Sequence, residues 1–344
     1  MNQTQVKVSI IIPHHRGFNI LDDCIGSLEK SNYKNYETIV VDNNSQDNSI
    51  EKIRNKFSEV KIISLKENLG YAGGCNMGAL ESSGEFLLFL NNDTIHDPNW
   101  LHPLVDLMDS DPTIGSIQPK IKNIHNNQKF DYAGGSGGFI DLFCFPFIRG
   151  RVFSHIEIDK GQYNNQIEIF WASGCAFITR KELFQSILFD TKLFAYMEEI
   201  DYAWKLNLSG YRNLVEPKST IYHDGGTLLT RNFLKSYYNH RNSLILFLTN
   251  HNPAIMFSLL IPKLTLELIS LLRYLLLFDW NGLSAQICSL LWILTHPVYL
   301  VGRVYKINKI KKNPLYSIIH KMYKSSVVFK YYILRKKKYS ELVN

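Results

Sequence analysis

The sequence has no Cys-x-x-Cys pair; its five cysteines (Cys24, Cys75, Cys144, Cys175 and Cys288) are scattered and odd in number. That pattern excludes a zinc ribbon and a small disulfide framework, and it points to a reducing compartment. The opening MNQTQVK runs straight into an apolar stretch, without a charged n-region, a long apolar h-region or a small-residue cleavage site. No signal peptide is expected, and the main domain is expected to face the cytoplasm. Gly70, Gly73, Gly74 and Gly78 match neither a Walker loop nor a dinucleotide fingerprint, although they permit close backbone approach to a ligand. Internal repeats and low-complexity tracts are also missing. Acidic residues are absent from one long stretch: Arg303–Lys338 holds 12 Lys/Arg and no Asp/Glu. Removing those 12 from the 38 basic residues, and Glu341 from the 31 acidic ones, leaves 26 against 30, a net of −4. The overall +7 therefore belongs to the tail. A basic tail that follows an apolar region suits an anionic lipid surface better than nucleic acid, though a solvated soluble face has the same composition.

What is present is an ordinary folded composition, 45% hydrophobic, 13% aromatic and 20% charged, in 344 residues, which suggests one large domain with an appendage. Val6–Pro13, Tyr36–Val41, Glu59–Leu65 and Glu85–Leu90 are β-branched or apolar runs of strand length. Between them Ile20–Ser31 and Ser49–Phe57 carry helical spacing, and the glycine-rich Asn68–Gly78 leads toward a helix. This alternation predicts an α/β domain with a mostly parallel, Rossmann-like sheet flanked by helices. Ligands of such sheets sit beyond the C-terminal strand ends, where Pro13, Asp42 and Asp93 fall. The domain is expected over residues 1–250, with a nucleotide-binding half over 1–100 and an acceptor and catalytic half over 101–250. Within the second half, residues 125–166 are rich in Gly, Asn and aromatics and are expected to form a long mobile loop.

After Asn252-Pro253 the chain becomes strongly apolar, and residues 251–304 are expected to form a helical pair. Lys263, Glu267 and Arg273 fall within an arc of about 120° on a helix over Ala254–Phe278, a pattern that suits lying in a membrane interface. Leu283–Val301 has no formal charge at neutral pH and is just long enough to span, with Asp279–Gly282 as the turn between. Monotopic attachment that returns the basic tail, residues 305–344, to the cytoplasmic side is the preferred reading. A two-helix span and a buried soluble pair are its alternatives.

Several residues carry candidate chemistry. Asp42 ends a strand, where a carboxylate can accept the ring N–H of a uracil or thymine base; taken alone, an Asx turn is the favoured reading. Asp93 closes Asn91-Asn92-Asp93 at another strand end, a place from which a carboxylate can hold a divalent ion against a diphosphate. Glu198, Glu199 and Asp201 crowd the start of a predicted helix. One can act as general base while its neighbours keep its pKa from falling, or all three can simply complement the helix dipole. His223 precedes Asp224-Gly225-Gly226 and is either a ligand or structural.

The ordered series VSIIIP, VDNNSQDNS, NLGYAGGCNMGA, LFLNNDT, WASGCAFITRKELF, FAYMEEIDYAWKLNLSGYR, IYHDGGT and YYNHRN resembles the family-2 glycosyltransferases over about residues 6–250. It looks most like the bacterial rhamnosyltransferase-type members of cell-surface polysaccharide pathways. The resemblance implies a GT-A fold and inverting transfer of a sugar from a nucleotide diphosphate to a hydroxyl. Pro13, Asp42, Asn68, Gly70, Asn91 and Arg241 would bind the donor, the last with Asn242 near the diphosphate. Asp93 and His223 would hold Mn²⁺ or Mg²⁺, and Glu199 would be the catalytic base, with Glu198 and Asp201 as supporting carboxylates. Asn91 stands where the metal motif has its first Asp, Glu199 where Asp is more usual, and His14-His15-Arg16-Gly17 where an aromatic-Asn pair is typical. dTDP-L-rhamnose is the first donor implied, with UDP- and GDP-linked sugars as alternatives. The implied acceptor is a cell-surface glycan or one carried on polyprenyl diphosphate at the cytoplasmic face of the bacterial inner membrane. The QxxRW signature of processive synthases and the nucleotidyl loop of pyrophosphorylases are both missing. A non-catalytic sugar-nucleotide-binding or scaffold protein of the same fold is the rival from another class.

Overall fold

A computed structural model describes residues 7–225, 232–312 and 318–343. The N-terminal half alternates strand and helix as β1 (Val8–His14), α1 (Phe18–Glu29), β2 (Tyr36–Asp42), α2 (Ser49–Lys56), β3 (Lys61–Ser64), α3 (Gly70–Leu80) and β4 (Phe86–Leu90). The next stretch holds β5 (Thr94–His96), α4 (Leu101–Ser110), β6 (Ile114–Asn123) and four short strands, β7 (Gly138–Ile140), β8 (Pro146–Ile148), β9 (Arg151–Val152) and β10 (His155–Ile156). It continues with β11 (Ile167–Ile169), β12 (Ala176–Arg180), α5 (Lys181–Ile187), α6 (Glu198–Leu208) and β13 (Arg212–His223). The rest is helical: α7 (Phe233–Asn250), α8 (Pro253–Leu276), α9 (Trp280–Thr295), α10 (Pro297–Ile310), α11 (Val327–Tyr332) and α12 (Tyr339–Val343).

The main sheet runs β11-β13-β6-β12-β4-β1-β2-β3, with β5 pairing β13. β1 pairs in parallel with β2 and β4, and β2 with β3, whereas β12 enters antiparallel between β4 and β6. The strands read as continuous apolar runs because both faces are covered. Val8, Ile10 and Ile12 of β1 join Phe86, Leu88 and Leu90 of β4 in a core with α1 and α4. The alternate residues Ile11, Leu87 and Phe89 pack on α3, α5 and α6 from the other side. α3 sits close to the sheet: a Cβ on Gly78 would lie 2.4 Å from Ile11 Cγ2 and 3.0 Å from Val41 Cγ2. Gly78 therefore serves helix-on-strand packing.

Two expectations are corrected. Residues 125–166, read as a long loop, contain an antiparallel four-stranded sheet in the order β10-β9-β8-β7. Strands of two or three residues are too short to show an alternating pattern. The segment after residue 304 is not a separate tail either. α10 continues to Ile310, and Val327, Tyr331 and Leu342 bury against Phe147 and Val152 of the small sheet.

The apolar region also differs from a simple pair of helices. The stretch read as a possible second span bends by 75° between α9 and α10. Pro297 stands at the start of α10, where its missing N–H ends α9 at His296. α8 is the one unbroken helix among the described residues that is long and apolar enough to cross a membrane. Its polar arc points inward in part: Lys263 and Glu267 are buried and ion-paired at 3.0 Å, while Arg273 stays exposed. Its apolar side points out, with Ile261 75% and Leu276 77% exposed.

Candidate active site

Four strand ends and one helix start build the site. β1 and β2 place Pro13, His14 and Asp42 side by side, since His14 is in register with Asp42. Asp42 Oδ1 accepts the Ser45 N–H at 2.8 Å, the Asx turn, which leaves its other oxygen outside that turn. His14 is buried and links the loops: Asn92 Nδ2 donates to its Nδ1 at 2.8 Å, and its Nε2 meets Ser49 Oγ at 2.9 Å. Burial lowers the pKa of His14, so the ring is neutral and can accept from Asn92. Asn43 ties the second strand's loop to the third: its Oδ1 accepts Leu69 N–H at 3.2 Å and its Nδ2 donates to the Gly70 carbonyl at 3.0 Å. Asn68 Oδ1 in turn accepts the Gly70 N–H at 2.8 Å. At φ +71° and with the Phe194 carbonyl 2.4 Å from a would-be Cβ, position 70 accepts only glycine.

The strand end of β4 meets the end of β13. Asp93 Oδ1 lies 3.1 Å from His223 Nε2, near the separation of adjacent ligands on an octahedral ion, about 3 Å. That oxygen is buried and has no aligned hydrogen-bond donor among the described residues. Asn91 Nδ2 also approaches His223 Nε2, at 3.3 Å. The other ring nitrogen is fixed, with Nδ1 2.7 Å from Asp131 Oδ1 on a fully buried carboxylate. A carboxylate behind a histidine sets its tautomer and raises its basicity as a ligand. Burial opposes charge on His223, but Cys175, Asp93 and Asp131 hold its pKa well above the usual value. Loss of the Nε2 proton turns that nitrogen into a lone-pair donor while Nδ1 stays anchored. The pair therefore fits a divalent cation. Among the described residues no three His, Cys, Asp or Glu side chains converge to hold one unaided, so a diphosphate and water would complete its shell.

Ser173-Gly174-Cys175 crosses from this side to the carboxylates. The Cys175 carbonyl accepts Asn91 N–H at 2.8 Å, and Gly174 leaves ordinary contact distance to Glu199, 3.6 Å from a would-be Cβ to its Cδ. Glu199 sits in the first turn of α6. Burial pushes its carboxyl up to about 7, against the backbone N–H groups of residues 199, 200, 174 and 197 that favour the anion. Glu198 is driven well above the carboxylate range by burial and by Glu199. At neutral pH the first is therefore poised as a base and the second holds its proton. Each has a buried oxygen without a partner among the described residues.

The profile of glycosyl transferase family 2 matches residues 9–188, more than half of the chain. The chain belongs to that family. It is 27% identical over 228 residues to the O-antigen biosynthesis protein RfbC of Myxococcus xanthus, covering 63% of this chain and 17% of that one. It is 34% identical over 183 residues to an uncharacterized glycosyltransferase of Rickettsia conorii, covering 49% and 29%. Among solved structures, GalNAc-T7 with UDP, GalNAc and Mn²⁺ superposes with a TM-score of 0.54 at 21% identity, covering 65% of this chain and 44% of that one. That likeness shows the fold, which is GT-A. The chain spans less than a third of the length of these two curated relatives.

Within this glycosyl transferase family 2 chain, two expected site residues lie elsewhere. Arg241, expected at the donor diphosphate, is buried with Nη2 on the carbonyls of Lys192 (2.7 Å) and Leu193 (3.0 Å) and Nε on Asn242. Asn242 gives its amide to the carbonyls of Leu193, Ala195 and Tyr196. Both shape the segment leading into α6. Asp201, expected to support the base, points away into Lys205 (2.7 Å) and Arg303 (2.6 Å). Burial opposes its ionisation, but Arg303 and Lys205 hold its carboxyl far below the usual range. Sequence reasoning missed Asp131 and His14. Asp131 lies in the stretch read as a loop, 92 positions from the histidine it orients. His14 breaks the family pattern, and its link to Asn92 emerges only when the two strand ends are adjacent.

Proposed function

We propose that this chain is an inverting glycosyltransferase that moves a sugar from a nucleoside diphosphate to a hydroxyl acceptor, with Glu199 as base. The observation that carries this reading is a carboxyl with a pKa of about 7 at the start of α6, joined by Ser173–Cys175 to the Asp93–His223 pair. In the proposed reaction Glu199 takes the acceptor proton as the oxygen attacks the anomeric carbon opposite the leaving diphosphate. Glu198 stays protonated and adds no charge beside it. Pro13, Asp42, Asn68, Gly70 and Asn91 line the nucleoside and diphosphate side. Asp93 and His223 would hold Mn²⁺ or Mg²⁺, which when bound neutralises charge on the departing diphosphate. Asp131 keeps the histidine ring in place. GalNAc-T7 was solved with UDP and Mn²⁺, which supports a nucleotide donor and a divalent ion.

By motif resemblance the donor is dTDP-L-rhamnose, with UDP- and GDP-linked sugars as alternatives, and the acceptor a glycan on a polyprenyl diphosphate or cell-surface polysaccharide. The RfbC relative is named for O-antigen biosynthesis, which supports an envelope glycan. Nucleotide release measured across dTDP-, UDP- and GDP-sugars, with Mn²⁺ or Mg²⁺ and lipid extract, is expected to single out one donor. Release from none of them would leave the sugar-nucleotide-binding reading in its place.

The reaction is proposed to occur against the cytoplasmic face of the bacterial inner membrane. Supporting this, α8 and the bent α9–α10 pair turn large apolar side chains outward, Leu276 77% and Leu294 74% exposed among them. Lys306 and Lys309 of α10, and Lys312, Lys337 and Lys338 beyond it, are exposed. Apolar insertion with basic residues at its rim is the pattern of interfacial attachment. The full chain is expected to co-sediment with anionic vesicles and less well with zwitterionic ones, the difference shrinking as salt rises. Chain left in the supernatant at every composition would refute attachment.

A further inference from the structure

We propose that Arg303 is a positioning residue for Glu199, clamping from the C-terminal helices both ends of the segment that carries the base. The proposal rests on the assignment of Glu199 made above.

Arg303 lies on α10, far from the family motifs, and counts by sequence as part of the basic stretch. It is nonetheless only 4% exposed. One arm of its guanidinium, Nη1, pairs with Asp190 Oδ2; the other, Nη2, pairs with Asp201 Oδ1 at 2.6 Å. Nη2 also donates to Asn250 Oδ1 at 3.1 Å and Nε to Thr249 Oγ1 at 3.2 Å, so the fork is fixed in orientation. Asp190 opens the approach to α6: its Oδ1 accepts the Lys192 N–H at 3.0 Å and its Oδ2 the Tyr299 hydroxyl at 2.8 Å. Asp201 lies two residues past the base. A single planar side chain thus spans the two ends of residues 190–201, a task that suits the rigid fork of arginine and not the point charge of lysine.

The segment between those ends needs holding. Phe194, Tyr196 and Met197 have φ of 65°, 67° and 69°, left-handed conformations that non-glycine residues keep only when the surroundings over-determine them. Arg241 and Asn242 of α7 take up its carbonyls from outside. α7 and α10 together therefore set where α6 begins, and with it the buried position of the Glu199 carboxyl. The ionisable groups facing that carboxyl are Glu198 on its own helix and Tyr71 and Cys75 of α3, while Tyr196 of the segment and Asp201 act on Glu198. Tyr71, Cys75, Tyr196 and Glu198 are raised and Asp201 is lowered, which leaves Glu199, at about 7, as the group of this set that titrates near neutrality.

The test compares full-length Arg303→Gln, Arg303→Lys and Asp190→Asn with the unaltered chain, reading kcat, donor KM and the pH profile of kcat. Arg303→Gln is expected to lower kcat about 10- to 100-fold, the scale of a small misplacement of a reacting group, with donor KM unchanged. Its acid limb is expected to move to lower pH, because a loosened segment lets water reach Glu199 and restores an ordinary carboxylate. Arg303→Lys recovers part of kcat. A folded Arg303→Gln chain, by near-UV circular dichroism, with unaltered kcat and acid limb would overturn the proposal. If Arg303→Gln does not fold, Asp190→Asn decides: it removes only the loop-side arm, and the same changes, smaller, are expected. An unaltered Asp190→Asn profile would overturn the proposal as well. Full activity in Glu199→Gln would instead remove the base assignment beneath it, so the two failures are distinguishable.

Discussion

Glu199→Gln is expected to lower turnover about 10²–10⁴-fold while donor binding is largely retained. The amide matches the carboxylate in shape but cannot take the acceptor proton. Because the side chain stands at the start of α6 and not in the loops of Pro13, Asp42 and Asn68, the nucleotide's contacts survive the change. The pH profile of the unaltered chain carries the complementary signature. A base must be ionised to work, and burial places the Glu199 carboxyl at about 7. kcat is therefore expected to fall as the pH drops through 7 and to hold above it, an acid limb that Glu199→Gln abolishes. Rapid-mixing turnover together with calorimetric donor titration checks both halves. Turnover that survives the substitution would show that another group takes the proton.

Excess EDTA is expected to stop transfer, and Mn²⁺ or Mg²⁺ to restore it. Asp93→Ala is expected to cost roughly 10²-fold or more in turnover, since several kcal/mol of charge stabilisation on the diphosphate are lost with the ion. Two side chains make a weak site by themselves, so ion affinity measured in the presence of the nucleoside diphosphate should exceed that of the free chain by a wide margin. Asp131→Asn supplies the finer reading: it leaves Asp93 and His223 in place but withdraws the carboxylate that orients the ring, for an expected 10- to 100-fold loss in ion affinity. Activity unchanged in excess EDTA would rule out the Asp93–His223 assignment.

The α/β core was legible because burial on both faces writes an unbroken apolar run into each parallel strand, as in β1 and β4. The strand-end positions of Asp42, Asn91 and Asp93 followed from the same logic. What the sequence could not reveal depends on direction and distance. The inward turn of Lys263 and Glu267 carries the same helical periodicity as an outward one, so the polar arc was visible but not the side it faces. Arg241 kept its place in the motif series, yet its use is decided by the carbonyls it reaches at 192 and 193. Asp131 and His14 act through partners brought near only by sheet assembly. By residue type alone the carboxylates at 198, 199 and 201 are equivalent, and only the motif resemblance singles out Glu199. Their opposite fates come from burial without a cation at 198 and 199, and from Arg303 and Lys205 beside Asp201.

The bend at His296-Pro297 has a consequence for how this chain can be divided. It turns α10 away from the apolar face of α9 and lays Arg303 against Thr249, Asn250, Asp190 and Asp201. The apolar helices proposed to meet lipid and the arginine proposed to position the base are therefore one piece of covalent structure. Trimming the greasy helices to gain solubility would also remove the keystone of the 190–201 arch. Nor does the family profile mark a safe cut, because it stops at residue 188, ahead of the arch itself.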